Sequence, residues 1–192
     1  MKKSGKQQRS KETIETLLAA AAQVLIDEGY EKATTNRIAD RAGFSVGTLY
    51  QYFDDKEDTY GELLDRAIAG LCNAAAYCPV QASLAQTLQA LLTRILGGMG
   101  ENPALVQALG ALLAGQFRNK RDVAFESIVA STARLLEAHR QEIAVEDLAL
   151  AARIVVGATE SLANSGSLDH LGRDDLMANA LRLQLAYLTL KT

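Results

Sequence analysis

Hydrogen-bonding side chains are concentrated in one short segment, residues 45–52. Ser45, Thr48, Gln51 and Tyr52 carry hydroxyl, amide or phenol groups. Because a helix turns by about 100° per residue, these positions share the side that faces away from the apolar residues between them. Such a face can hydrogen-bond to DNA phosphates and to base edges. The segment therefore predicts a surface that enters DNA.

Two short helical patterns separated by Gly43 position these groups. Each pattern has one apolar flank to bury, formed by Ile38, Ala39 and Ala42 in the first and by Val46, Leu49 and Phe53 in the second. Gly43 stands where the first helix should end, because a left-handed C-cap has no steric penalty for glycine. Phe44 can then enter the core, and Ser45 is a good N-cap for the second helix. This pattern predicts a helix-turn-helix.

Two positions in the second helix are less regular. Gly47 lies in its middle, where glycine costs about 1 kcal/mol relative to alanine. A close approach of the backbone to another surface would explain this glycine, and a tolerated defect would explain it equally simply. Tyr50 is expected at the edge of the buried stripe.

A long fourth helix is predicted to follow. Asp54 and Glu57 are three residues apart, which is the capping-box arrangement, and the helix is expected to run to about Cys78. Lys56 then lies in the first turn, where a cation opposes the helix macrodipole and needs another partner. A DNA phosphate would supply one, and simple solvation is the alternative.

The N-terminal segment combines a basic arm with a first helix. Ser10 is predicted to cap this helix, and Gly29 to mark its end. Five basic residues precede the first acidic one: Lys2, Lys3, Lys6, Arg9 and Lys11. Two interpretations of this arm are open, namely an arm that follows phosphates or enters a minor groove, and a disordered solubilising terminus.

The remainder of the chain reads as helices separated by breaks at 97–103, 117–122, 141–145 and 166–174, with no strand pattern. The last two helical segments, 147–164 and 174–190, carry more apolar surface than one packing partner can bury, which predicts that a second copy of the chain packs there. Three small residues, Ala149, Ala152 and Gly157, would let the helices of the two copies approach closely. Two polar residues, Glu160 and Asn164, would fix the register of the interface.

Composition excludes several classes of protein. The chain has 192 residues, 48% of them hydrophobic, and only two prolines, so it can build a substantial core from long helices. The net charge of −3 argues against indiscriminate binding of nucleic acid. We find no nucleophile and base pair, no phosphate loop and no metal-ligand spacing, and expect neither an enzyme nor a cofactor or metal. Cys72 and Cys78 are expected to be buried thiols, and His139 and His170 stand alone.

No apolar run is long enough to span a bilayer, and no cleavable leader is recognisable at the N-terminus. We therefore expect a cytoplasmic protein without a membrane partner.

Three stretches of sequence resemble the tetracycline-repressor (TetR) family of bacterial transcription regulators. They are TIETLLAAAAQVLIDEGYEKAT, TTNRIADRAGFSVGTLYQYF and DDKEDTYGELL, which together cover about the first third of the chain. The resemblance implies an all-α fold with two domains. Residues 1–55 would form a three-helix DNA-binding domain with its basic arm, and residues 56–192 a helical domain for effector binding and dimerisation.

The resemblance also implies roles for individual residues. It assigns base or phosphate contact to the exposed positions Ser45, Thr48, Gln51 and Tyr52, and backbone anchoring to Thr35, Tyr50 and Lys56. Gly47 is added to these candidates on the separate argument given above, as a point where the backbone approaches another surface. Gln51 is the best candidate for reading a base, because its amide can form paired hydrogen bonds with adenine. A two-fold dimer would read a near-palindromic operator.

A small-molecule effector is implied as well, bound in the C-terminal domain and releasing the DNA through the fourth helix. Five residues are candidates for lining its pocket, although plain core is the commoner role for such residues: Cys72, Tyr77, Met99, Phe117 and Phe125. A DNA-binding protein of the same fold with a structural or division-control role, acting through a protein partner, is the alternative function.

Overall fold

A computed structural model of the protein describes residues 2–98, 102–164 and 172–190. The regular elements in these ranges are all helical, which confirms the predicted all-α fold. The chain divides into two compact units, Met1–Arg66 and Ala67–Thr192. The predicted boundary between residues 55 and 56 lies earlier than this division, because the first turns of the fourth helix pack within the first unit.

The first unit contains three helices and the beginning of a fourth. Their bounds are α1 Lys2–Lys32, α2 Thr35–Ala42, α3 Val46–Leu49 and α4 Lys56–Ala76. The core of the unit is built from α1, through Leu17 and Leu25, and from Ile38, Leu49 and Phe53 of the helix-turn-helix, all of them buried. The phenol of Tyr60 on α4 donates to the carbonyl of Ala21, 3.1 Å away, inside this core. Helix α1 therefore braces the other three.

The predicted start of α1 is wrong. The helix begins at Lys2, and Ser10 lies inside it rather than at its cap. Lysine, glutamine and arginine favour helix, and the Gln8 amide donates to the Glu12 carboxylate one turn later at 3.0 Å, so the helix extends upstream. The basic arm is thus helical. The side chains of Lys2, Lys3 and Lys6 lie outside the described residues.

Gly29 interrupts α1 as predicted, but the helix resumes for one more turn. Its φ of 74° and ψ of 166° are non-helical and accessible essentially only to glycine. The amide of Ala33 then donates to the carbonyls of Gly29 and Tyr30, each at 3.2 Å. The chain direction consequently changes just before α2.

The capping box of α4 lies one residue later than predicted. The Asp55 carboxylate accepts from the Asp58 amide at 2.8 Å, and the Asp58 carboxylate accepts from the Asp54 amide at 3.0 Å. Asp58 therefore takes the role that the sequence pattern assigned to Glu57, and α4 begins at Lys56.

The second unit contains the remainder of α4 and five further helices. Their bounds are α5 Leu84–Gly98, α6 Pro103–Ala114, α7 Arg118–Ala138, α8 Leu148–Asn164 and α9 Arg173–Thr189, with a 3₁₀ turn at Arg140–Glu142. The predicted break at 117–122 is shifted to residues 115–117, because α7 continues upstream to Arg118. Met99 and His170 lie outside the described residues, as do residues 165–171.

The main core of this unit brings together α5, α7, α8 and α9. Leu88, Leu136, Val155 and Leu188 are among its buried members. A smaller cluster joins the end of α4 to α5 and α7 and contains Cys78, whose thiol pKa is raised by burial.

Beside this core, two buried polar residues, Thr87 and His139, form a network with the exposed Glu142. The Thr87 hydroxyl lies 2.7 Å from Nε2 of His139, and Nδ1 of His139 lies 2.8 Å from the Glu142 carboxylate. Glu142 also accepts from the amide of Leu84 at 3.1 Å. These two contacts to Glu142, the Leu84 amide first, lower the pKa of its carboxyl. The network connects the start of α5 to the end of α7.

Helices α8 and α9 each leave apolar residues uncovered. Four large side chains are exposed on them or at their ends: Leu150 at 51%, Ile154 at 42%, Leu183 at 55% and Leu190 at 69%. Ala152 is different, because it is fully buried within its own chain and cannot lie at a surface between subunits, contrary to prediction. Glu160 is engaged internally by Arg121, whose Nε and Nη2 lie 2.7 and 3.2 Å from its oxygens. The Asn164 side chain lies outside the described residues.

The residues proposed to line an effector pocket differ in how deeply they are buried. Phe117 is buried, whereas Cys72 and Phe125 are half-buried. Tyr77 is 75% exposed and so cannot line an interior pocket, because it follows the last turn of α4.

Candidate nucleic-acid interface

Helix α2 has a side-chain cap at its start and a backbone cap at its end. The Thr34 hydroxyl accepts from the amide of Arg37 at 3.3 Å at its start. At its end Gly43 adopts the left-handed conformation, with φ 74° and ψ 24°, and the amide of Phe44 donates to the Ala39 carbonyl at 2.9 Å. The predicted glycine C-cap is confirmed, and it turns the chain into α3.

Helix α3 begins at the predicted N-cap. The Ser45 hydroxyl accepts from the amide of Thr48 at 3.1 Å. Regular α-helix covers only Val46–Leu49, after which the amides of Gln51 and Tyr52 each donate to the carbonyl three residues earlier. The recognition segment is therefore an α-helical turn that tightens toward Phe53.

Tightening of this segment changes which side chains face outward. Ser45, Gly47 and Gln51 are exposed as predicted, whereas Thr48, also expected to face outward, is half-buried with its hydroxyl turned back to Ser45. Tyr52 is half-buried rather than outward, and Tyr50, expected at the edge, is 53% exposed. A three-residue repeat advances each side chain by about 120° instead of about 100°, which accounts for this rotation.

Four of the predicted contact residues carry side-chain hydroxyl groups, and these form two hydrogen-bonded pairs. The Tyr50 hydroxyl lies 3.0 Å from the Thr35 hydroxyl, and the Ser45 hydroxyl lies 2.9 Å from that of Thr48. Each pair holds two O–H donors and uses one internally, so one remains for an outside acceptor such as a phosphate oxygen. The structure thus joins the start of α2 to the end of α3 and holds these hydroxyls in place.

Gln51 differs from these neighbours. Within the part of the chain that the structure describes, its side-chain amide forms no hydrogen bond, and the residue is exposed. Both amide hydrogens and the amide oxygen are therefore available to a ligand.

Gly47 has room for a side chain in the free protein. A Cβ atom at this position would meet only the Ser45 hydroxyl oxygen, at 3.7 Å, which is an ordinary contact. Packing within the chain therefore does not require glycine here.

Several cations of this unit are engaged by the protein itself. Arg37 of α2 pairs with Glu28 of α1, and Arg41 lies 2.8 Å from the Asp27 carboxylate. Lys56 donates from Nζ to the carbonyl of Tyr30 at 3.0 Å. Sequence reasoning missed these contacts, because they join positions that are far apart in sequence and lie on different helices.

A capped helix, a glycine turn and a second helix whose polar face keeps hydrogen-bonding groups available define the helix-turn-helix class of DNA-binding domain. Two family profiles match the chain in agreement with this geometry. Residues 17–63 match bacterial regulatory proteins of the tetR family, and residues 83–188 match the tetracyclin repressor-like C-terminal domain. The chain belongs to the TetR family of bacterial transcription regulators and is a DNA-binding protein.

Curated relatives match only part of the chain. The chain is 46% identical over 55 residues to the HTH-type transcriptional activator FasR of Mycolicibacterium smegmatis, covering 29% of this chain and 25% of FasR. It is 27% identical over 112 residues to the nucleoid occlusion factor SlmA of Actinobacillus pleuropneumoniae, covering 57% of this chain and 53% of SlmA. The chain thus spans about a quarter to a half of these relatives.

A solved structure matches nearly the whole chain. The fatty acid degradation regulator FadR of Bacillus halodurans superposes with a TM-score of 0.76 at 19% identity, covering 90% of this chain and 94% of that one. At this identity the similarity shows a shared fold.

Two further observations concern other kinds of site. Among the described residues, no three histidine, cysteine or acidic side chains come together in a group that could hold a metal ion. None of the helices in the described ranges combines the length and apolar character needed to cross a membrane.

Proposed function

We propose that this protein is a one-component, ligand-responsive repressor that acts in the cytoplasm and binds a near-palindromic operator as a homodimer. The observation that carries the proposal is the recognition segment. Among the described residues the Gln51 side chain has no hydrogen-bond partner, and beside it two hydroxyl pairs each keep one donor. Donors that point outward from a rigid helix-turn-helix suit contact with DNA.

The contacts divide into two kinds. Gln51 reads a base edge, with adenine as the preferred partner of its amide. Phosphates are contacted by the two hydroxyl pairs, Thr35 with Tyr50 and Ser45 with Thr48. The other predicted positions, Gly47, Tyr52 and Lys56, belong to the same surface. This division separates sequence preference from general affinity, so each kind of contact can be tested alone.

Dimerisation uses α8 and α9. Their exposed leucine and isoleucine side chains form an apolar surface that water solvates poorly, and burying it against a second copy is favourable. Two recognition segments related by a two-fold axis then read two half-sites, which makes weak readout by each segment specific.

The effector binds in the second unit. The chain contains no tryptophan and only 5% aromatic residues, which favours an aliphatic or mixed ligand over a flat cationic one. By linkage, the effector and DNA must weaken each other's binding by the same factor.

Fluorescence anisotropy tests this function directly. The purified protein is titrated against DNA from upstream of its own gene and against a shuffled duplex, across a salt series. Tight binding of the native duplex alone supports a local regulator, and compounds that release it identify the effector. Equal binding of both duplexes, collapsing as salt rises, would reject local regulation.

The similarity to SlmA favours a second candidate, a DNA-binding protein with a division-control role through a protein partner. Mapping of bound sites across the chromosome separates the two. A site next to the protein's own gene supports the repressor, whereas many scattered sites without effects on nearby transcription support the second candidate.

A further inference from the structure

The side chain of Lys56 is held by a single residue of α1. Its Nζ donates to the Tyr30 carbonyl at 3.0 Å and lies 4.1 Å from the centroid of the Tyr30 ring. The lysine is half-buried. One face of its ammonium is thus occupied by a carbonyl oxygen and another by an aromatic ring, which leaves less of it open to water or to DNA.

This contact resolves an electrostatic conflict. Lys56 lies in the first turn of α4, where the helix macrodipole disfavours a cation. Tyr30 lies in the last turn of α1, where the backbone carbonyls carry partial negative charge. The macrodipole of α4 therefore destabilises the Lys56 ammonium, and the carbonyls at the end of α1 stabilise it.

Tyr30 is itself fixed in place. Its ring packs edge-on against the Tyr60 ring, with 5.3 Å between centroids, and the Tyr60 hydroxyl is anchored on the Ala21 carbonyl. Burial, followed by the carboxylates of Glu57, Asp55 and Glu31, raises the pKa of the Tyr30 phenol. Lys56 is thus attached to a rigid point of the core.

The contact closes a loop that contains the whole helix-turn-helix. Tyr30 precedes α2 and Lys56 follows α3, and the two residues are 26 positions apart. The Thr35–Tyr50 hydrogen bond forms a second tie inside this loop. We call the Lys56–Tyr30 contact the neck of the loop. Fixing the neck restricts the directions in which α2 and α3 can leave the core.

We propose that Lys56 is a positioning residue for DNA recognition, which holds the recognition segment through the neck rather than adding a charge at a phosphate. This inference rests on the proposed DNA-binding function. It replaces a direct electrostatic role for Lys56 with a conformational one, and the two roles make different predictions about salt.

A double-mutant cycle separates the two roles. The variants are Lys56→Met, which removes the charge and keeps the length, Tyr30→Leu, which removes the ring without changing charge, and the double variant. Lys32→Met is the matched control, because it removes a charge from the same exposed turn of α1. Affinity for the native upstream duplex is measured across a salt series.

If Lys56 acts through the neck, both single variants weaken binding, each on the order of tenfold. The double variant is then no weaker than the weaker single one. The slope of log affinity against log salt for Lys56→Met stays equal to that of Lys32→Met. If Lys56 contacts a phosphate, this slope becomes shallower by about 0.9, Tyr30→Leu binds normally and the effects add. That result would overturn the proposal.

The unfolding free energies of the same variants, measured in urea, make the test independent of DNA. Coupling between Lys56→Met and Tyr30→Leu supports the neck, and additive effects overturn it. If the unaltered protein shows no preference for the native duplex, the proposed function fails, and the unfolding cycle still decides whether Lys56 fixes Tyr30. If Tyr30→Leu does not fold, the salt slope of Lys56→Met decides alone.

Discussion

The hydroxyl of Tyr50 lies 3.0 Å from the hydroxyl of Thr35 and so connects the last turn of the recognition segment to the first turn of α2. One donor of this pair remains available for a phosphate oxygen. The pair therefore has two separable contributions, one to the rigidity of the helix-turn-helix and one to DNA affinity.

Replacement of Tyr50 by phenylalanine should reveal both contributions. We expect the free energy of unfolding to fall by about 0.5–1 kcal/mol, since the pair is partly solvated. Affinity for any DNA sequence should fall about three- to tenfold, because a hydrogen bond to a charged phosphate is lost. Urea unfolding and anisotropy measure the two effects, with Tyr77→Phe as a control at an exposed tyrosine of the second unit. Unchanged affinity would show that the pair is purely structural.

Gln51→Ala should relax sequence preference. Loss of paired hydrogen bonds to a base should cost about 1–3 kcal/mol with the native duplex and nothing with a shuffled one. The ratio of the two affinities is the measurement, and the salt slope should not change, because no charge is removed. Gln23→Ala, at an exposed position of α1, is the matched control. An equal loss with both duplexes would rule out base readout by Gln51.

Gly47→Ala distinguishes a functional glycine from a tolerated defect. The added methyl group meets only the Ser45 hydroxyl at 3.7 Å, so we expect the free energy of unfolding to rise by up to about 1 kcal/mol. If the backbone approaches DNA closely, affinity should nevertheless fall about tenfold or more, since a Cβ atom would then lie against the duplex. A variant that is more stable and binds DNA normally would identify the glycine as a defect.

Leu183→Glu should disrupt the proposed dimer. Leucine at this exposed position of α9 contributes apolar area to the proposed interface, and a carboxylate there would be placed in an apolar contact. Light scattering should show a monomer, and affinity for the operator should fall by more than about tenfold because one half-site is lost. Val123→Glu, at a residue of α7 that is 73% exposed, is the control and should leave a dimer. A Leu183→Glu variant that stays dimeric would place the interface elsewhere.

Glu142→Gln should change how stability depends on pH. The pKa of this carboxyl is lower in the folded state than its ordinary value of 4.5, so its ionised form stabilises the folded state above that value. The stabilisation is lost as the pH falls through the lowered pKa. Urea unfolding should find the unaltered protein more stable than the variant at neutral pH, with the difference closing in acid. Glu146→Gln is an exposed control on the same connection, and a pH-independent difference would contradict the assignment.

Local features were predictable because they depend on neighbours along the chain. The left-handed cap at Gly43, the hydroxyl cap at Ser45 and the change of direction at Gly29 each follow from what one residue type allows its own backbone to do. The apolar spacing around Leu49 similarly predicted which face is buried.

Helix boundaries were less predictable, because several residues compete for the same role. Asp55 and Asp58 form the capping pair of α4, whereas the sequence pattern favoured Asp54 and Glu57, which have the same spacing. Ser10 has the chemistry of a cap, yet the residues before it form helix equally well, and α1 continues through it.

The sequence by itself determined the helical class, the helix-turn-helix and its exposed amide at Gln51, since helical periodicity and glycine conformation are local properties. Only the tertiary structure decided which hydroxyls pair, that Ala152 is internal, and that Lys56 has its partner in Tyr30. Apart from the Ser45–Thr48 pair, which is local, these features involve residues on different helices, and their partners are set by how the helices pack. Periodicity shows which face is buried and not which residue it meets.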